Sequence, residues 1–101
     1  MQSEKNSYNV FNFEVFEDKR AIKFRQKNAN DVSLQDRIDL KYLKLAVDPY
    51  REAEGKFVSR KCPKCLKTKI GDYRIIYYVH KSRKQVEIID IGLREGVYDK
   101  W

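Results

Sequence analysis

The sequence predicts an α+β fold. An N-terminal strand is followed by two helices and then by a three-stranded antiparallel meander. The strands join in one sheet with the helices on one face. Three observations predict it. Phe11, Phe13 and Val15 alternate with polar residues near the start of the chain, the period of a half-buried strand. Leu34, Ile38, Tyr42 and Leu45 recur at helical spacing, with Leu43 and Val47 beside them. The last third of the chain consists of strand-like runs separated by Gly71-Asp72 and Ser82-Arg83-Lys84. A helical pair laid over an antiparallel sheet buries both apolar surfaces at once.

Taken in order, residues 1–7 are polar and expected to form a flexible N-terminal arm, with a single domain over residues 8–101. The first strand is expected at 10–16. Glu17 and Asp18 open a helix that runs to about Lys27, because acids suit the positive end of the helix dipole. Ala21, Phe24 and Ile22 supply its apolar face, and Asn28-Ala29-Asn30 is a turn. The second helix starts with Asp31 or Ser33 as N-cap. It stops before Pro49, since proline disfavours helical geometry at the preceding residue. Residues 51–56 read as a charged loop. Strands are then expected near 65–70, 73–80 and 85–92. Gly71 at the first central position suits a tight two-residue hairpin turn.

A chain of 101 residues is long enough for one domain with one modest core. Lys and Arg number 22 against 15 Asp and Glu, a net charge of +7. That surplus concerns partners rather than fold, and it points to nucleic acid, an acidic protein, or both. A hydrophobic fraction of 42% with seven Tyr and five Phe argues against disorder. No run approaches the roughly 20 apolar residues of a membrane-spanning helix, and Met1 to Tyr8 lacks a secretory pattern. A cytoplasmic location without membrane contact is therefore expected. With only Cys62 and Cys65, the chain is no disulfide-stapled secreted scaffold.

Chemistry concentrates in Lys67-Thr68-Lys69-Ile70-Gly71-Asp72-Tyr73-Arg74. On a strand, Lys67 and Lys69 point to one face. If Gly71 and Asp72 are the two turn residues, Lys69 pairs with Arg74 across the hairpin and shares its face. Three like charges on a rigid sheet repel, which suggests an anion site with phosphate as the obvious ligand. A solvated polar face in a lysine-rich protein is the bland alternative, and pattern alone leans that way.

The remaining signals are weaker. Cys62-Pro63-Lys64-Cys65 reads foremost as plain thiols, with a disulfide or half a zinc site as alternatives, since structural zinc wants about four ligands. His80, the only histidine, adjoins the Lys81–Lys84 turn and reads as a solvated turn residue. Tyr73, Ile75, Tyr77 and Val79 alternate and read as core. Trp101 either covers a core edge or hangs free. The four glycines are scattered, so no phosphate-cradling loop is present, and no cofactor is expected.

Gly71-Asp72-Tyr73-Arg74-Ile75-Ile76-Tyr77 resembles the G-D-Y-R-I-I-Y segment of the RelE/ParE toxin superfamily. Val86 to Arg94 (VEIIDIGLR) is similar to that superfamily's next strand, which usually ends in I-G-H-R or I-G-K-R. Val97-Tyr98 resembles the V-Y that closes the motif, and Leu45 to Arg51 (LAVDPYR) resembles the end of its second helix. The resemblance runs from Tyr8 to Tyr98 in element order and is specific from Lys67 to Tyr98. It implies a RelE-like fold and the toxin of a type II toxin–antitoxin system.

The RelE-type activity so implied is that of a metal-independent, ribosome-dependent endoribonuclease. It cuts messenger RNA in the A site by attack of a 2′-hydroxyl on the adjacent phosphate, and so inhibits translation. The implied partners are the ribosome, messenger RNA and an acidic antitoxin. The resemblance assigns the catalytic work to Lys67, Lys69, Arg74, Arg94 and Tyr98. A lysine serves as a base near neutral pH beside other cations; Lys69 beside Arg74, and Lys67 beside Lys69, would supply them. Arginine forks onto phosphate oxygens, which suits Arg74 and Arg94 to transition-state charge. Tyr98 would stack on a base or orient the reacting group.

Three features depart from the pattern. Leu93 stands where a His or Lys is frequent, the spacing from Arg94 to Tyr98 is short, and the C-P-K-C segment lies outside the motif. ParE-type members share the fold and poison DNA gyrase instead, so the alternative is a ParE-like or catalytically inactive member acting by protein binding.

Overall fold

Backbone donors and acceptors decide where each element starts. The structure, a computed structural model, describes residues 11–57 and 59–101. The arm expected over residues 1–7 and the start of the strand expected from residue 10 lie outside the described residues. Strand β1 is Glu14–Glu17, later than the expected 10–16. The amides of Asn12 and Phe13 both donate to the Ala46 carbonyl at 2.9 Å, so this stretch is tied to a helix end rather than to the sheet.

Helix α1 (Lys19–Lys27) is capped by Asp18, whose carboxylate accepts from the Lys19 amide. Helix α2 (Val32–Val47) is capped by Asp31, which accepts from the Leu34 amide. Arg25 ties α1 to its neighbours through Glu17 of β1 at 3.3 Å and Asp39 and Gln35 of α2 at 2.6 and 2.8 Å. Burial works against this guanidinium, but the hydrogen bond to Asp39, the charges of Tyr42 and Asp39, and the hydrogen bond to Glu17 outweigh it and raise its pKa.

Strands β3 (Cys65–Ile70), β4 (Tyr73–His80) and β5 (Gln85–Leu93) form the expected meander. Two elements were not foreseen. Strand β2 (Gly55–Phe57) occupies part of the stretch expected as a charged loop and pairs antiparallel with the start of β3. Helix α3 (Arg94–Asp99) follows β5 directly. Both are too short to carry a readable period. The strand order is β1-β5-β4-β3-β2, with β1 parallel to β5 at one edge.

The sheet is covered on both faces. On one, α1 and α2 lay Ala21, Leu34, Ile38 and Leu45 over Ile75, Tyr77, Val86, Ile88 and Ile91. On the other, Phe57, Cys65, Ile76 and Val97 form a smaller cluster, with Tyr98 and Trp101 packed against it. Val97 carries α3 into this second cluster, so α3 lies opposite α1 and α2. Tyr77 is fully buried, as its alternating run predicted, and its hydroxyl donates to the Pro49 carbonyl at 2.6 Å. Burial, and then the charges of Glu52 and Asp48, push that hydroxyl above the ordinary tyrosine range.

Cys62 and Cys65 are joined by a disulfide, which corrects the reading of plain thiols. The Cys65 amide donates to the Cys62 carbonyl at 3.3 Å in a tight turn. That turn brings the two Cα atoms to 5.4 Å, within the span a bridge requires. Cys65 faces Ile76 and Val97 in the apolar cluster. Among the described residues no group of three or more His, Cys, Asp or Glu side chains is placed to hold a metal ion. The zinc alternative therefore finds no further ligands there.

Candidate functional site

The β3–β4 hairpin sets the geometry of the basic cluster. Gly71 at its tip has φ +58°, a conformation open to glycine at little cost, and Ile70 pairs with Tyr73 across the turn. That register places Lys69 opposite Arg74, the pairing the sequence predicted, and Lys67 opposite Ile76. Arg74 in turn lies opposite Gly92 of β5. A Cβ on Gly92 would stand 3.2 Å from the Cβ of Val97. The bare glycine thus lets α3 settle closely over the sheet, and α3 delivers Arg94 and Tyr98 to the face that carries Lys67, Lys69 and Arg74.

The five residues resolve into two close groupings with Lys69 at the rim. Arg74 and Arg94 line one open groove of about 490 Å³ together with Asp72, Leu93, Glu95 and Gly96. The Arg94 amide donates to the Asp72 carbonyl at 3.1 Å, which fixes the start of α3 against the hairpin tip. Its side chain is exposed and makes no hydrogen bond or ion pair among the described residues. The second grouping is Lys67 and Tyr98, with the ammonium 5.2 Å from the ring centroid. That ring also stacks on Phe57, at 5.3 Å with 27° between planes. Lys69 is exposed and also lines a shallow cleft with Arg37, Lys41 and Lys44 of α2.

Arg74 departs from the expectation of an open cation. Its side chain is only 12% exposed, and its Nε lies 3.3 Å from a carboxylate oxygen of Glu54. Nη1 donates to the carbonyls of Gly71 and Tyr73 at 3.0 and 3.1 Å. Repulsion with Lys69 is thus answered within the chain by Glu54, although Nε itself is buried without a hydrogen bond, and Nη2 makes none among the described residues. Glu54 was missed because it is brought to Arg74 by strand β2, which begins at the next residue and is too short to read. Arg37 was missed as well, although Arg37, Lys41 and Lys44 follow helical spacing and could have been singled out. Its guanidinium reaches over the hairpin tip, with Nη2 2.5 Å from where a Gly71 Cβ would stand.

Chemically, this is an open groove with one unengaged arginine, one half-engaged arginine and a lysine packed on an aromatic ring. It suits a phosphodiester with an unstacked base better than a small neutral substrate.

Residues 17–98 match the family model of the ParE toxin of the type II toxin–antitoxin system parDE. Among solved structures, the chain is similar to the toxin–antitoxin complex RelBE2 from Mycobacterium tuberculosis, at 18% identity and a TM-score of 0.66 over 81% of this chain and 98% of that one. It is also similar to the isolated E. coli RelE toxin, at 28% identity and a TM-score of 0.61 over 87% and 93%. No curated protein sequence matches the chain.

Proposed function

Because the chain belongs to the ParE toxin family, and so is a type II toxin of the RelE/ParE superfamily, we propose that it arrests growth as a ribosome-dependent endoribonuclease acting on messenger RNA in the A site. The observation that carries this reading is the shared groove of Arg74 and Arg94, beside Lys67 packed on Tyr98. In the reaction a lysine, Lys67 or Lys69, takes the proton of a ribose 2′-hydroxyl. The freed oxygen attacks the adjacent phosphorus, the bond to the 5′-oxygen breaks, that oxygen leaves with the downstream nucleoside and takes a proton from water, and a 2′,3′-cyclic phosphate remains. Arg94 and Nη2 of Arg74 neutralise the charge gathering on the phosphoryl oxygens, where preorganised donors are worth most. Tyr98 offers its ring to an unstacked base. The exposed Leu93 supplies no proton donor at the groove.

A short acidic antitoxin is the proposed protein partner, by analogy with the toxin–antitoxin complex of the RelBE2 relative. Opposite charge steers such a pair, so their association should slow as salt rises.

A second reading, gyrase inhibition by protein binding, is favoured by the match to the parDE toxin model and by the engagement of Arg74 with Glu54. The two separate in one experiment. Purified toxin is added to ribosomes programmed with a defined messenger RNA, and the 5′ ends of the products are mapped. Cuts in the A-site codon are expected. A protein that arrests growth and inhibits supercoiling by gyrase, but cuts nothing on the ribosome, would replace the first reading with the second.

A further inference from the structure

Helix α3 carries both Arg94 and Tyr98, yet it has little to hold itself together. It is six residues long, includes Gly96, and has no side-chain cap at its start. A helix of that length does not persist on its own, so neighbouring contacts must set its position. Its first residue is fixed by the Arg94 amide on Asp72, and its middle by Val97, which is 1% exposed in the second cluster. The far end is held by Trp101.

Trp101 is anchored at several points. Its indole Nε1 donates to Oδ2 of Asp90 at 3.1 Å, and its carbonyl accepts from the Ser59 hydroxyl at 2.7 Å. Its amide closes the end of α3 on the Tyr98 carbonyl at 3.1 Å. The guanidinium of Arg20 lies 4.8 Å, and the ammonium of Lys61 5.9 Å, from the ring. Lys61 also donates to the Lys100 carbonyl at 3.0 Å.

The Asp90 contact gives this arrangement its direction. Asp90 is 1% exposed, and a buried carboxylate must find hydrogen-bond donors. One oxygen accepts from the Ile91 amide at 2.8 Å and the other from Trp101. Asp90 sits on β5 opposite Ile76, on the sheet face that bears the candidate site and four residues before Arg94. Lys61 immediately precedes the C-P-K-C segment, for which the proposed reaction has no use, and Cys62 of that segment packs in the same cluster.

We infer that Trp101 is a positioning residue for the site: by locking the end of α3 to Asp90 and to the loop around Ser59 and Lys61, it determines where Tyr98 and Arg94 stand over the sheet. The consequence for catalysis rests on the nuclease reading; the consequence for α3 does not.

The test uses the full chain with Trp101→Phe, which keeps a ring between Arg20 and Lys61 but removes the N–H, and with Asp90→Asn, which keeps the volume but loses an acceptor. Amide hydrogen exchange is followed in Arg94–Asp99 and, as a control, in β4. Both variants should exchange faster in α3 while β4 stays protected. In the wild type and Asp90→Asn, the emission of Trp101, the only tryptophan in the sequence, should shift to the red in the variant. On programmed ribosomes, Trp101→Phe should lower the single-turnover cleavage rate on the order of 10-fold at unchanged KM. In an Arg94→Ala, Tyr98→Ala background it should cost nothing further, because the groups it positions are gone. Unchanged α3 exchange in both variants overturns the inference. So does a rate loss that persists in full in the double-alanine background, since Trp101 would then act elsewhere. If the wild type cuts no RNA, the nuclease reading fails by itself, and the exchange and emission results still decide the role of Trp101.

Discussion

The Lys67 ammonium stands 5.2 Å from the centroid of the Tyr98 ring, joining the middle of β3 to the end of α3 across the sheet face. The ring also stacks on Phe57, so the Tyr98 contacts among the described residues are made by its aromatic surface. Tyr98→Phe is therefore expected to retain the fold and to cut RNA within a few-fold of wild type. Tyr98→Ala, which removes the support of Lys67, should lose far more. Parallel single-turnover cleavage assays check this; a severe defect in Tyr98→Phe would instead assign the hydroxyl a part in the reaction.

The cysteine pair makes a prediction opposite to the one free thiols would make. Cys65 is fully buried in the second cluster and bonded to Cys62. Replacing both by serine opens the bridge and puts a hydroxyl into an apolar site. For so short a loop, loss of the cross-link alone costs about 2 kcal/mol by the chain-entropy argument. The Cys62→Ser, Cys65→Ser protein should thus unfold at lower denaturant than the oxidised wild type. Equal midpoints in urea would show that the bridge and the packing of Cys65 contribute nothing.

Burial of the tyrosine hydroxyls predicts a pH dependence of stability. The Tyr77 hydroxyl is raised above its ordinary value by burial, then by Glu52 and Asp48; that of Tyr42 is raised by burial, then by Glu17. A group whose pKa is higher in the folded state stabilises fully below its unfolded value, about 10 for tyrosine. That contribution is lost as pH rises through the folded value. Stability should therefore fall from about pH 10 upward. Tyr77→Phe should start lower by about 1 to 3 kcal/mol, because the Pro49 carbonyl loses its donor, and then decline less steeply. Urea midpoints from pH 8 to 11 for both proteins give the comparison; parallel slopes would remove Tyr77 from the account.

What the sequence disclosed divides along physical lines. The Lys69–Arg74 pairing was legible because a two-residue turn at Gly71-Asp72 leaves one register, and the α2 cap was narrowed to two candidates because Asp31 and Ser33 are both good N-caps. Strand β2 and helix α3 were not legible. Each is held by contacts remote in sequence: β2 by pairing with β3, α3 by Val97 in the cluster and Trp101 on Asp90. The same remoteness hid Glu54 as the partner of Arg74. Spacing marks which residues share a face, but not which opposite charge a distant short strand brings to it.

The two arginines of the groove should therefore behave differently. Arg94 is exposed and its side chain is unengaged among the described residues, so Arg94→Ala should stay within about 0.5 kcal/mol of wild-type stability. Its cleavage rate should fall on the order of 100-fold or more, the usual cost of one preorganised donor to transition-state charge. Arg74 also holds the hairpin tip through the Gly71 and Tyr73 carbonyls and faces Glu54. Arg74→Ala strips those partners, and leaving them unpaired should lower stability by about 1 to 3 kcal/mol in addition to its effect on rate. Arg74→Lys, which keeps the charge but not the fork, should recover part of the stability and little of the rate. Thermal or urea unfolding of the three variants, set against A-site cleavage and growth arrest, separates the two roles. If Arg74→Ala were as stable as Arg94→Ala, its contacts with Glu54 and the turn would be incidental, and Arg74 would be as free a phosphate ligand as Arg94.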